Sequence, residues 1–112
     1  MSPAKPGKIT EDVKQKAIAA IERFNHENAQ RKDCFYRARF RGKYLYLDRS
    51  DYGRIGPIGR LTYTGDFQKW DFAIFKWSSE TYDPDEWMFP GAGMLDGTLE
   101  GAMKAGLAAY PV

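Results

Sequence analysis

Between Tyr36 and Asp48 the chain changes side at every residue. Tyr36, Ala38 and Phe40 take one parity and Arg37, Arg39 and Arg41 the other, and Tyr44-Leu-Tyr-Leu-Asp48 resumes the alternation after Gly42-Lys43. A period of two belongs to a half-buried strand, and two such runs about a glycine read as an antiparallel hairpin. A Gly42-Lys43 loop sets Arg41 opposite Tyr44, whereas an Arg41-Gly42 loop sets Phe40 opposite Lys43. Both choices keep the same residues together on each face, because side chains alternate strictly. Tyr36, Ala38, Phe40, Leu45 and Leu47 share one face; Arg37, Arg39, Arg41, Tyr44 and Tyr46 share the other. Only a three-residue loop would mix them.

The apolar face needs cover, and the flanking segments offer it. Thr10 is a good N-cap, with Glu11 and Asp12 where a helix dipole favours anions. Val13, Ala17, Ala20, Ile21 and Phe24 then follow at helical spacing on one stripe. This helix should end between Asn28 and Lys32. A last helix should start at Asp96 or Thr98, with Leu99, Ala102, Met103, Gly106, Leu107 and Tyr110 on one stripe and Pro111 at its end. Its glycines and alanines make it thin, suited to close packing. Between the hairpin and that helix, residues 51–59 read as a connector, too rich in Gly and Pro for a central strand. Residues 60–64 read as a third strand, 65–68 as a turn, 69–77 as a fourth strand and 78–93 as a long loop. Leu61, Tyr63, Trp70, Phe72 and Ile74 would line one face of that second pair, with Arg60, Thr62, Asp71, Ala73, Phe75 and Trp77 on the other. The expected class is α+β: an N-terminal helix, a four-stranded antiparallel meander sheet and a C-terminal helix. Residues 1–8 read as a flexible leader and 9–112 as a single domain, with the first helix covering the apolar sheet face.

Composition narrows the functional classes. Of 112 residues, 43% are hydrophobic and 15% aromatic, too many for a disordered chain. No apolar run reaches the ~18–20 residues of a membrane helix, and the N-terminus lacks the apolar stretch of a secretory signal. A single cysteine, Cys34, makes no internal disulfide and suits a reduced, cytoplasmic setting. With one histidine, His26, the chain has no set of Cys and His for a zinc cage, and a Ser-His-Asp triad would have to run through His26. Asp83, Asp85 and Glu86 lack the spacing of a calcium loop. Gly91-Ala-Gly-Met-Leu-Asp96-Gly97 puts a carboxylate where a dinucleotide fingerprint needs glycine. Gly53-Arg-Ile-Gly56 lies between strands rather than between helices. No spacing selects Asp71 and Glu80 as a carboxylate pair. No cofactor, metal site or catalytic residue is expected.

Charge is segregated along the chain. Residues 1–30 carry five bases and four acids, 31–60 nine bases and three acids, and 61–112 three bases and eight acids. The basic middle coincides with the hairpin. Arg37, Arg39, Arg41, Tyr44, Tyr46 and Arg60 together form the candidate binding face, since arginines take phosphates and tyrosines stack bases on single-strand-binding sheets. The same residues would also serve as Arg–Tyr cross-strand pairs steadying an exposed sheet. The expected function is therefore a non-enzymatic binding module for single-stranded nucleic acid or an acidic protein, with no membrane partner. One alternative is a small-molecule binder or enzyme with a pocket between the sheet and the 78–93 loop. Another is a homo-oligomeric structural domain, a homodimer through Phe75, Trp77 and the C-terminal helix.

At Thr62-Tyr63, Trp70-Asp-Phe-Ala-Ile-Phe-Lys-Trp77 and Tyr82-Asp-Pro84 the chain resembles a family of small bacterial proteins of unknown function. Those proteins are similar in length, open with a helix and carry Trp- and Tyr-rich strands followed by a Tyr-x-Pro step. The resemblance covers about half of the chain and departs at Leu99-Glu-Gly-Ala-Met-Lys-Ala-Gly106. It implies a fold and no activity, so it assigns no functional residue.

Overall fold

Thr10 opens the first helix as the sequence predicts. Its hydroxyl accepts from Val13 N and its carbonyl from Lys14 N, and α1 runs over Glu11–Asn28. The computed structural model describes residues 8–28, 34–86 and 88–111. The expected leader (apart from Lys8), the segment beyond Asn28 and Trp87 lie outside the described residues. The strands are β1 (Cys34–Arg41), β2 (Tyr44–Asp51), β3 (Arg54–Thr62), β4 (Asp71–Lys76) and β5 (Thr81–Asp83), followed by helix α2 (Leu99–Ala109). They form one antiparallel meander in the order β1-β2-β3-β4-β5. The fold is α+β, with five strands rather than four.

Two corrections follow from turn and edge chemistry. The expected connector at 51–59 is a tight turn and the first half of β3. Tyr52 and Gly53 both adopt positive φ, 56° and 87°, so Asp51 pairs with Arg54 across a two-residue turn. Pro57 is tolerated in a central strand for two reasons. The β2–β3 register slips beside it at Leu47/Asp48, and β4 pairs only with Gly59–Thr62, leaving that half of β3 as an edge. The expected loop at 78–93 likewise contains β5, whose three residues are too few to show a period in the sequence.

The first hairpin closes on Arg41 opposite Tyr44 through Gly42-Lys43. Gly42 has φ +61°, which a two-residue loop of this type requires at its first position. Leu45 and Leu47 are fully buried with Leu61, Leu99 and Met103, while Phe40, Tyr63 and Phe72 pack against this core half-buried. Burying each large apolar side chain contributes about 1.5–3 kcal/mol. The first helix does not cover this face alone. Both helices lie on it, with Ala17, Ile21 and Phe24 of α1 and Ala102 and Met103 of α2 in one core.

α2 sits down closely because it is thin. A Cβ on Gly106 would stand 2.4 Å from Tyr36 Oη and 2.7 Å from Ile58 Cγ2. Tyr36 donates its hydroxyl proton to Met103 O at 2.7 Å, joining β1 to α2. Burial pushes this phenol up to about 12. The unfolded phenol ionises near pH 10, so between those values the folded state holds a proton that the unfolded state has lost. Stability should therefore fall with rising pH across that window, by up to about 1.4 kcal/mol per pH unit from this group. Tyr36→Phe should flatten the dependence. Urea denaturation at several alkaline pH values measures both slopes, and identical slopes would remove Tyr36 from the account.

Candidate functional site

Both helices lie on one side, and among the described residues no helix covers the other side of the sheet, where Asp48, Ala73 and Phe75 are buried between longer side chains. Register places Arg37, Arg39 and Arg41 from β1 on it, beside Asp48, Tyr46 and Tyr44 from β2. Arg60 of β3 faces Tyr46 and Ala73, and Phe75 of β4 faces Tyr82 of β5. All six residues of the sequence-derived candidate face thus share one surface.

The aromatic rings form a continuous ladder across it. Centroid separations are 6.1 Å for Tyr44–Tyr46, 5.4 Å for Tyr46–Tyr82, 5.1 Å for Tyr82–Phe75 and 5.0 Å for Phe75–Trp77. Cations already lie against these rings. Arg60 Cζ stands 4.6 Å from the Tyr44 centroid and 5.7 Å from that of Tyr82, and its buried Nε has no hydrogen-bond partner. Lys43 Nζ is 5.4 Å from the Tyr44 centroid, and Arg39 Cζ is 5.1 Å from that of Tyr46. Cation–π contact of this kind contributes about 0.5–1 kcal/mol where exposed and more where desolvated.

Arg39 also holds Asp48 in a fork, Nε to Oδ2 at 2.5 Å and Nη2 to Oδ1 at 3.2 Å. Asp48 is 7% exposed, so this pairing compensates a carboxylate otherwise deprived of water. The bond to Asp48 raises the Arg39 pKa, and burial together with the Asp48 charge raises that of Tyr82. Arg37 and Arg41 are exposed and form no ion pair among the described residues. Alternate side chains on a strand stand about 6.6–6.8 Å apart, so Arg37, Arg39 and Arg41 make an evenly spaced cationic row along the edge of the sheet.

Two members of this face were not singled out in the sequence. Asp48 has the parity of Tyr44 and Tyr46, a signal that was present. Tyr82 lies on β5, and three residues give no alternation to read.

The other candidate sites are less well formed. A cavity of about 270 Å³ does lie between the sheet and the 78–93 segment. Its charged groups and its tyrosine hydroxyl are engaged with one another or with backbone. Lys76 Nζ meets Glu86 at 3.0 Å and Asp83 at 3.6 Å, and the Tyr110 hydroxyl donates to Phe75 O. Among the described residues, no group of three His, Cys, Asp or Glu could hold a metal ion. His26 sits exposed on α1, and Cys34 has the parity of the covered face. Phe75 is 8% exposed beneath Trp77 and Tyr82, whereas Trp77 is 56% exposed beside the C-terminal turn of α2. Among the described residues, no helix is long and apolar enough to cross a membrane. Comparison with protein families, with curated proteins and with solved structures gives no significant match to this chain.

Proposed function

We propose that the protein is a non-enzymatic binding module whose open sheet face takes an acidic segment of a partner protein. The observation that carries this reading is the occupancy of the tyrosine rings. A base-stacking surface offers bare ring faces, but here Arg60, Arg39 and Lys43 already lie over Tyr44 and Tyr46. What remains available is positive charge, from Arg37, Arg41 and the outward side of Arg39, whose side chain is 60% exposed. Carboxylates meet guanidinium forks without needing a ring face. The single thiol fits a cytoplasmic setting for such a module.

The experiment compares a fluorescent oligoglutamate peptide with a fluorescent oligothymidylate, titrated at low and physiological salt. The peptide should bind more tightly and weaken as salt rises, because the contacts are exposed. Arg37→Glu with Arg41→Glu should weaken it at least tenfold, while Tyr44→Ala should change it less than threefold. Tighter oligonucleotide binding, with a loss of about 1–3 kcal/mol on Tyr44→Ala, would instead establish a base-stacking face.

A further inference from the structure

β1 is an outer strand, and its free side is only partly closed. The Gly42-Lys43 loop closes on Arg41–Tyr44, so the odd-numbered residues of β1 bond to β2 and the even-numbered ones direct N–H and C=O outward. At Tyr36 both outward groups are taken by one side chain: Asn25 Oδ1 accepts from Tyr36 N at 2.8 Å, and Asn25 Nδ2 donates to Tyr36 O at 2.9 Å. At the other end Gly42 O accepts from Ile9 N at 2.8 Å. Between these stops, the outward backbone groups of Ala38 and Phe40 have no hydrogen-bond partner among the described residues.

The two sides of this gap differ in chemistry. Below it, a cavity of about 210 Å³ lies between β1 and α1, walled by Ile18, Ile21 and Ala38 with the charged Glu22 and Arg37 at its side. Above it stand Arg37, Arg39 and Arg41. A strand laid here would alternate its side chains between a groove floored by Ile18, Ile21 and Ala38 and a cationic row. A second copy of β1 is a poor occupant, since it would bring one arginine row against another, and charged edges of this kind oppose self-pairing.

We infer that the partner segment binds by strand addition: an extended peptide of alternating acidic and apolar residues pairs with the Ala38–Phe40 stretch of β1. Its carboxylates lie beside Arg37, Arg39 and Arg41, and its apolar side chains enter the groove against Ile18 and Ile21. Main-chain hydrogen bonds then hold the peptide, and the alternation sets its register. This inference rests on the acidic-partner reading and adds the mode of binding to it.

The test uses a synthetic peptide alternating glutamate with valine, the same peptide N-methylated at backbone positions facing β1, and an oligoglutamate of equal length. Affinities come from fluorescence anisotropy, and amide hydrogen exchange follows the full-length protein by NMR. The alternating peptide should slow exchange of the Ala38 and Phe40 amides at least tenfold and outbind oligoglutamate at least fivefold. N-methylation should weaken it at least tenfold, and Ile18→Glu should do so without loss of the folded spectrum. Equal binding of the N-methylated peptide would overturn strand addition and leave the acidic-partner reading intact. No binding of any acidic peptide, with oligothymidylate bound, would overturn both. Protection spread evenly over the arginine face, without Ala38 and Phe40, would also overturn strand addition.

Discussion

Arg49→Ala should cost about 3 kcal/mol, near the lower end of what breaking a buried ion pair costs, and should do so without touching the open face. Arg49 has a 2% exposed side chain and lies on the covered side of β2. Its Nε and Nη2 bond Asp51 at 2.7 and 3.0 Å. Nη1 reaches Gly106 O at 3.4 Å, and Nη2 donates to Tyr110 O. The guanidinium therefore ties β2 to the C-terminal end of α2, where unpaired carbonyls and the helix dipole both favour a cation. Alanine removes these bonds together and leaves carbonyls facing a space they cannot fill. Asp51→Asn should cost much less, about 1 kcal/mol, because the Asp51 side chain is 36% exposed and the carbonyl bonds survive. For a domain of this size 1 kcal/mol moves the melting temperature by about 4–8 °C, so thermal melts separate the two variants. Equal losses would mean that the ion pair, and not the helix tie, carries the stability.

This tie was invisible in the sequence, where Arg49 counted only as one base of the basic middle segment. Its parity places it with Leu45 and Leu47, but an arginine among buried positions gives no sign of where its partners lie. Those partners are carbonyls some 60 residues away, supplied by a helix whose docking depth depends on Gly106. Alternation was a much stronger signal. The faces of β1 and β2 followed from it because side-chain direction in a strand is local and strict. The six candidate residues came together for the same reason, since three consecutive strands paired in sequence order place them on one surface. Pro57 misled because proline rules apply to hydrogen-bonding geometry, and whether β3 has a neighbour at that point is set by how far β4 extends. Tyr82 was missed because a three-residue strand has no period. The occupancy of the tyrosine rings, on which the proposed preference for carboxylates over bases rests, depends on side-chain positions that alternation does not contain.

Phe24→Ala should be the most destabilising single truncation, at about 3–5 kcal/mol, while Phe35→Ala should cost less than about 1 kcal/mol. The two phenylalanines lie on opposite sides of the same strand. Phe24 projects from α1, is 5% exposed and meets the Tyr36 ring edge-on at 5.9 Å. Its removal loses the transfer free energy of the ring, opens a cavity under β1, and forfeits an aromatic pair contributing about 0.5–1.5 kcal/mol. Phe35 belongs to the open face, is 38% exposed and borders water. Small domains are stable by about 5–15 kcal/mol, so Phe24→Ala should retain a folded population at low temperature that denaturant titration can measure. In that population the arginine row is unaltered, because Phe24 packs on the far side of the sheet. Oligoglutamate affinity, which reads the arginine row without the groove against Ile18 and Ile21, should therefore stay within about twofold of the parent once corrected for the folded fraction, since distant sites without shared partners act almost independently. A large loss of corrected oligoglutamate affinity would mean that the arginine row is itself coupled to the α1 core through β1.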